Sequence, residues 1–152
     1  MTNVADNRNF RRVDVDKYDE NAYQEESSAP TGAFNETEVN SMINSRNYSG
    51  AMKAILQSPV ICSTNVKEKT ALVDAFIRVN TSIKQNNIPE LMSSFNDDDK
   101  ENLIRIIYMS FKVRPEVDHG ISHAWFEKAH QDVGHGAIVR AMTDRKSLVF
   151  KP

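Results

Sequence analysis

The sequence predicts an all-α fold: a compact bundle or array of about seven helices behind an extended N-terminal arm. Three observations carry that expectation. From Glu36 onward, apolar residues recur at i, i+3 and i+4, the spacing that lines one face of a helix. Asn, Asp, Pro and Gly punctuate these segments, and no core stretch alternates with the period of two that a half-buried strand needs. Residues 1–35, by contrast, have no helical period and are rich in Asn, Asp, Glu and Ser.

The arm, residues 1–35, comes first. It is too polar to bury a core and is expected to be disordered when free. Ser27-Ser28-Ala29-Pro30-Thr31-Gly32 is a loop signal at its far end. Inside it lies one carefully patterned block, Phe10-Arg11-Arg12-Val13-Asp14-Val15-Asp16-Lys17-Tyr18-Asp19-Glu20-Asn21. Val13 and Val15 alternate with Asp14 and Asp16, so an extended conformation puts valines on one face and carboxylates on the other. Phe10 and Tyr18 flank the block as large anchors. Arg11 and Arg12 can form forked bonds to carboxylates. This pattern points to a docking segment, with Phe10, Arg11, Arg12, Val13, Asp14, Val15, Asp16, Tyr18 and Asp19 as candidate partner-binding residues.

The helical body, residues 36–152, follows. Val39, Met42 and Ile43 mark a first helix. A second carries Met52, Ile55 and Leu56, with Ser49 as a possible cap and Pro59 as its stop. A long third helix starts at Thr64 or Asn65, shows Val66, Val73, Phe76, Ile77 and Ile83, and ends at Asn86-Asn87. Ile88, Leu91, Met92 and Phe95 fit a short fourth helix that tolerates Pro89 in its first turn. Asn96-Asp97-Asp98-Asp99 opens a fifth, with Leu103, Ile104, Ile107, Tyr108 and Phe111 on one side and Pro115 closing it. A sixth holds Ile121, Trp125 and Ala129 and stops at Gly134, read as a left-handed C-cap. A seventh begins near Gly136, with Ile138, Val139 and Met142 as its apolar stripe. Arg140, Arg145 and Lys146 give this last segment a basic character and complete the candidate partner-binding set.

Composition narrows the function classes. A chain of 152 residues suits one domain and needs no disulfide or metal to hold together. Cys62 is the only cysteine, which fits a reducing compartment. No apolar run approaches the roughly 20 residues of a membrane span. No signal-like apolar region follows Met1, so a cytosolic or nuclear protein is expected. The net charge of −2 gives no electrostatic case for nucleic acid. Residues 1–35 hold seven acidic and four basic side chains, so the arm carries −3.

Catalytic chemistry finds little support. His119 and His123 are four apart, which would suit half of a metal site, but a metal site needs three or four convergent ligands. Surface or partly packed histidines are the plainer reading of these two and of His130 and His135. Asp97-Asp98-Asp99 lacks the spacing of a calcium loop and suits the positive end of a helix dipole. Gly134-His135-Gly136 is too short for a phosphate loop. Trp125 reads as a core anchor. No catalytic residue, cofactor or metal is expected.

The patterned block resembles the FRKVDVDxYDEN opening of the family of the 16 kDa subunit, or subunit 5, of the actin-related protein 2/3 complex. Trp125-Phe126-Glu127-Lys128-Ala129 resembles its WxEKA segment, and Gly136-Ala137-Ile138-Val139-Arg140 and Asp144-Arg145-Lys146 resemble its closing elements. Met52-Lys53-Ala54-Ile55-Leu56 followed by Pro59 resembles its first helical pair. Lys17 departs from an acid that is common there, and Leu148-Val149-Phe150-Lys151-Pro152 runs past the usual end.

The resemblance implies a non-catalytic scaffold in the assembly that nucleates branched actin filaments, in the cytoplasm at the actin cytoskeleton. It implies a core docked on the 20 kDa subunit and an arm reaching the propeller subunit and actin-related protein 2. Actin filaments would be met only through the complex, with no nucleic acid and no membrane span. A free-standing helical adaptor with the same docking arm is the alternative. A metal-dependent enzyme using the histidines is a third reading.

Overall fold

The computed structural model describes residues 34–63 and 65–144. The arm block from Phe10 to Asp19, and Arg145 and Lys146, lie outside those residues. Seven α-helices follow one another: α1 Glu36–Asn44, α2 Tyr48–Leu56, α3 Val66–Ser82, α4 Ile88–Ser93, α5 Asp97–Val113, α6 Gly120–Val133 and α7 His135–Thr143. Short 3-10 turns, Pro59–Cys62 and Gln85–Asn87, follow α2 and α3. The described residues contain no strand, so the all-α expectation stands.

Asparagine starts four of the helices. Backbone N–H groups of Glu38, Gly50, Lys67 and Asp99 donate to the side chains of Asn35, Asn47, Asn65 and Asn96, each satisfying a donor that has no partner inside its helix. At Asn96 the bond is reciprocal, because Asp99 accepts from the Asn96 backbone at 3.3 Å. The acidic triplet therefore sits at the positive end of α5, as expected. Two boundaries differ. Asn47, two residues before Ser49, caps α2. Helix α3 ends at Ser82, where Ile83 turns extended and buries its side chain. Asn35 caps α1, and Phe34 packs against the core.

Helix α5 is the centre of the body. Leu103, Ile104, Ile106, Ile107 and Met109 are all fully buried, so more than one of its faces is covered. Helices α2, α3, α6 and α7 do the covering. Burying each such side chain contributes roughly 1.5–3 kcal/mol. Phe95 stacks on Trp125 with ring centres 6.1 Å apart, and Trp125 is fully buried, the core anchor its sequence context suggested. Asn80 of α3 donates to Ser122 of α6 at 2.8 Å, one polar tie across an otherwise apolar contact.

Gly134 is the whole connection between α6 and α7. Its φ of 73° is positive, as the sequence implied, but its ψ of −175° is extended where a left-handed cap would be helical. A one-residue joint must redirect the chain at once, and only glycine occupies that region readily.

Helix α7 corrects the sequence reading most. Its core-facing residues are Ala137 and Ala141, both about 1% exposed. Val139 and Met142 point outward, 59% and 62% exposed, and Ile138 sits at the edge of the core. Small side chains let α7 approach α5 closely, and two cross-links fix its rotation. Arg140 pairs with Glu101 of α5, and Asp144 lies 3.7 Å from Arg105 of α5.

The joint yields a paired expectation. Gly134→Ala should lower stability by about 1–3 kcal/mol through backbone strain alone, since nothing would touch the added Cβ. Gly136→Ala should be neutral or stabilising by up to ~1 kcal/mol, because it lies in a helix and its Cβ would meet only the flexible tip of Arg140. Urea unfolding of both variants checks this, and equal effects would contradict it.

Candidate docking interface

Of the sequence-predicted partner-binding residues, the described structure places Arg140 alone. Its guanidinium already binds Glu101 within the chain, and that carboxylate holds the Arg140 pKa above its ordinary value. Its side chain is about half exposed, so one side remains open to solvent. The arm residues and the Arg145–Lys146 pair continue from the two ends of the described body, beyond Phe34 and Asp144.

Near the arm's point of departure, three helices meet in a groove of about 430 Å³ lined by Glu36, Ala71, Asp74, Ile77, Arg78, Arg114, Glu116 and Val117. Arg114 donates twice to Asp74, both at 2.8 Å, a forked pair linking the end of α5 to α3. Arg78 donates to Glu36 at 2.6 Å and ties α3 to the first residue of α1. The Arg114 hydrogen bonds hold the Asp74 carboxyl below the usual carboxylate range, against the opposing effect of partial burial. The groove's charges are largely committed to one another, which makes it a brace for the arm's root.

A second cluster ties the C-terminal end. Lys69 of α3 is fully buried, and that burial pushes its pKa down, while the nearby Asp144 carboxylate pulls it up. Asp144 also faces Arg105. The last residue of the described body is thereby fixed to both α3 and α5, which sets where residues 145–152 begin.

The four histidines form no metal centre. Among the described residues, no group of three or more His, Cys, Asp or Glu side chains converges as a ligand set. His119 and His123 instead flank the ring of Phe111, at 4.8 and 5.2 Å between ring centres. His119 Nε2 lies 2.9 Å from the Arg114 carbonyl oxygen. His130 lies parallel to Phe126, with planes 5° apart, and meets His135 edge-on at 4.4 Å. Tyr108 bridges Phe111 and Phe126. All four imidazoles thus belong to one aromatic ribbon along α5 and α6 that ends on α7. The sequence reading did not see this ribbon. Its signal was present in the seven-residue interval His123 to His130, which returns to the same helix face.

Residues 9–148 match the family described as ARP2/3 complex 16 kDa subunit (p16-Arc). Among curated proteins, actin-related protein 2/3 complex subunit 5-C of Xenopus laevis is 35% identical over 141 residues, covering 91% of this chain and 94% of that one. Subunit 5-B of the same organism is 34% identical over 146 residues, with the same coverage of 91% and 94%. The Homo sapiens subunit 5-like protein is 28% identical over 144 residues, again covering 91% and 94%.

The Asp74–Arg114 pair has a testable pH signature. A carboxyl whose pKa is depressed by folding stabilises the native state above its unfolded value of 3.8, and loses that contribution as pH falls through the lower folded value. Asp74→Asn should therefore melt below the wild type at neutral pH, with the gap shrinking as the solution is acidified below pH 3.8. A gap that stayed constant across the acid limb would show that the pair adds nothing through ionisation.

Proposed function

We propose that this chain, which belongs to the ARP2/3 complex 16 kDa subunit (p16-Arc) family, braces neighbouring subunits with its helical body and tethers a mobile one with its N-terminal arm. Membership makes it a non-catalytic structural subunit of the complex, at the cytoplasmic actin cytoskeleton. In the proposed arrangement the body docks on the 20 kDa subunit. The arm reaches the propeller subunit and actin-related protein 2, within the assembly that nucleates branched actin filaments.

The observation that carries the reading is the extent of the family match. It begins at residue 9 and so takes in the patterned block as well as the body. An arm of about 35 residues can span at most ~115–125 Å when extended, enough to cross from one subunit to the next. Tethering through such an arm raises local concentration, so a weak contact suffices. Phe10, Val13, Val15 and Tyr18 suit shallow apolar pockets. Arg11 and Arg12 suit partner carboxylates, and Asp14, Asp16 and Asp19 suit partner cations or backbone donors. The braced root at Glu36 and Arg78 would keep tension on the arm from unravelling α1.

Deleting residues 1–33 separates the two roles while keeping the Asn35 cap and Phe34. Circular dichroism and the melting curve of the truncated chain should match those of the full chain. Its co-purified complex should bind actin-related protein 2 more weakly. In the full chain, Arg12→Glu with Val13→Asp should give the same weakening, because an unpaired charge buried against a partner costs several kcal/mol. Loss of cooperative unfolding on truncation would mean the arm belongs to the body, and unchanged retention of actin-related protein 2 in both would sink the tether.

A further inference from the structure

We infer that the outward strip Phe126–His130–His135–Val139–Met142, running from α6 across the Gly134 joint onto α7, docks an uncharged apolar segment of a neighbouring subunit. The inference rests on the subunit reading above and names a surface for it. Val139 and Met142 are the large apolar side chains left exposed among the described residues. They are not strays, because α7 has its faces reversed: it turns alanines to the core and its larger Val and Met to solvent. A helix facing outward in this way is stable in water only at the cost of keeping apolar surface wet, and a partner removes that cost.

The strip is continuous. His135, Val139 and Met142 recur at i, i+4 and i+7 along α7. His135 touches His130, with Nδ1 and Nε2 3.2 Å apart, and His130 stacks on Phe126. Aromatic residues and Met are the types enriched at the centres of protein interfaces, and Lys, Glu and Asp are depleted there. None of the five is an acid, a Lys or an Arg.

The bordering charges are drawn away from it. Arg140 turns to Glu101, and Asp132 binds Lys100 at 3.2 Å and lies 3.7 Å from Lys128. An uncharged occupant therefore leaves no ion unpaired. The chain's own residues 145–152 fit less well, since they would bring Arg145, Lys146 and Lys151 to a strip that offers no carboxylate. Five side chains make the centre of a contact, and a polar rim would complete it.

Val139→Lys with Met142→Lys in the full chain tests this. Lysine suits a helix and the C-terminal half of its dipole, and both positions are exposed, so the fold should survive. Co-expressed with the remaining complex subunits, the double variant should be recovered in the assembly at least about tenfold less than the wild type, with an unchanged melting temperature when free. Val139→Ala with Met142→Ala should show a smaller loss of the same sign. Normal recovery of the lysine variant beside a wild type that assembles would overturn the surface and leave the subunit reading intact. Failure of the wild type to assemble would sink the subunit reading and the occupant with it. A fall in the free protein's melting temperature, matched by deletion of residues 147–152, would assign the strip to the chain's own tail. A concentration-dependent dimer of the wild type, abolished by the lysines, would assign it to a second copy. Either of these last two results overturns the inference.

Discussion

The fold turns on the burial of α5. A helix covered on more than one face cannot be satisfied by a single neighbour, so helices from both ends of the chain must close around it. This requirement explains why α2 and α3, early in the chain, share a core with α6 and α7, late in it. The capping box at Asn96 and Asp99 fixes where α5 starts, and the forked Arg114–Asp74 pair fixes where it ends. Between those points its side chains are almost all inside. The long-range ion pairs from α5 add little energy at a half-exposed surface, but they select one rotation for each neighbour.

That selection matters most for α7. Glu101 and Arg105 of α5 hold Arg140 and Asp144, and the buried Lys69 adds a charge from α3 near the same point. With both flanks of α7 held, its alanines face inward and its larger apolar residues face water. The body thus carries an outward strip whose position is set by electrostatics at its edges. At the other end, Arg78–Glu36 and the Asn35 cap secure the first turn of α1, from which the arm departs. Each segment proposed to meet a partner is rooted in an element pinned by ion pairs.

Much of this was legible in the sequence, and the gaps have physical reasons. The seven helices follow from apolar spacing and punctuation, because each segment has one stripe that must be buried. The cap of α5 was legible because Asn96 precedes acids that suit a helix start. The cap of α2 was misplaced because Ser49 and Asn47 are both good caps, and only packing decides between them. The α7 face was misread because residue size favours Val and Met for the inside, whereas the close approach to α5 requires Ala. The joint at Gly134 was seen as a helix stop, but its extended ψ depends on α7 restarting one residue later, which no local pattern announces. The aromatic ribbon joins residues of three helices and exists only once those helices are packed. The arm was legible in another way, as a pattern with no helical period that nonetheless repeats Val and Asp in register.

Family membership and architecture point to a protein whose work is done by contact, with a rigid body to brace and a long arm to tether. Hydrogen exchange on the free chain and on the same chain within the assembled complex tests that claim most directly. The account expects assembly to protect residues 10–19 and residues 135–143 strongly. Helix α5, already buried in the free protein, should change little. Unchanged exchange at both segments on assembly would contradict it, because neither the arm nor α7 would then be in contact with a neighbour.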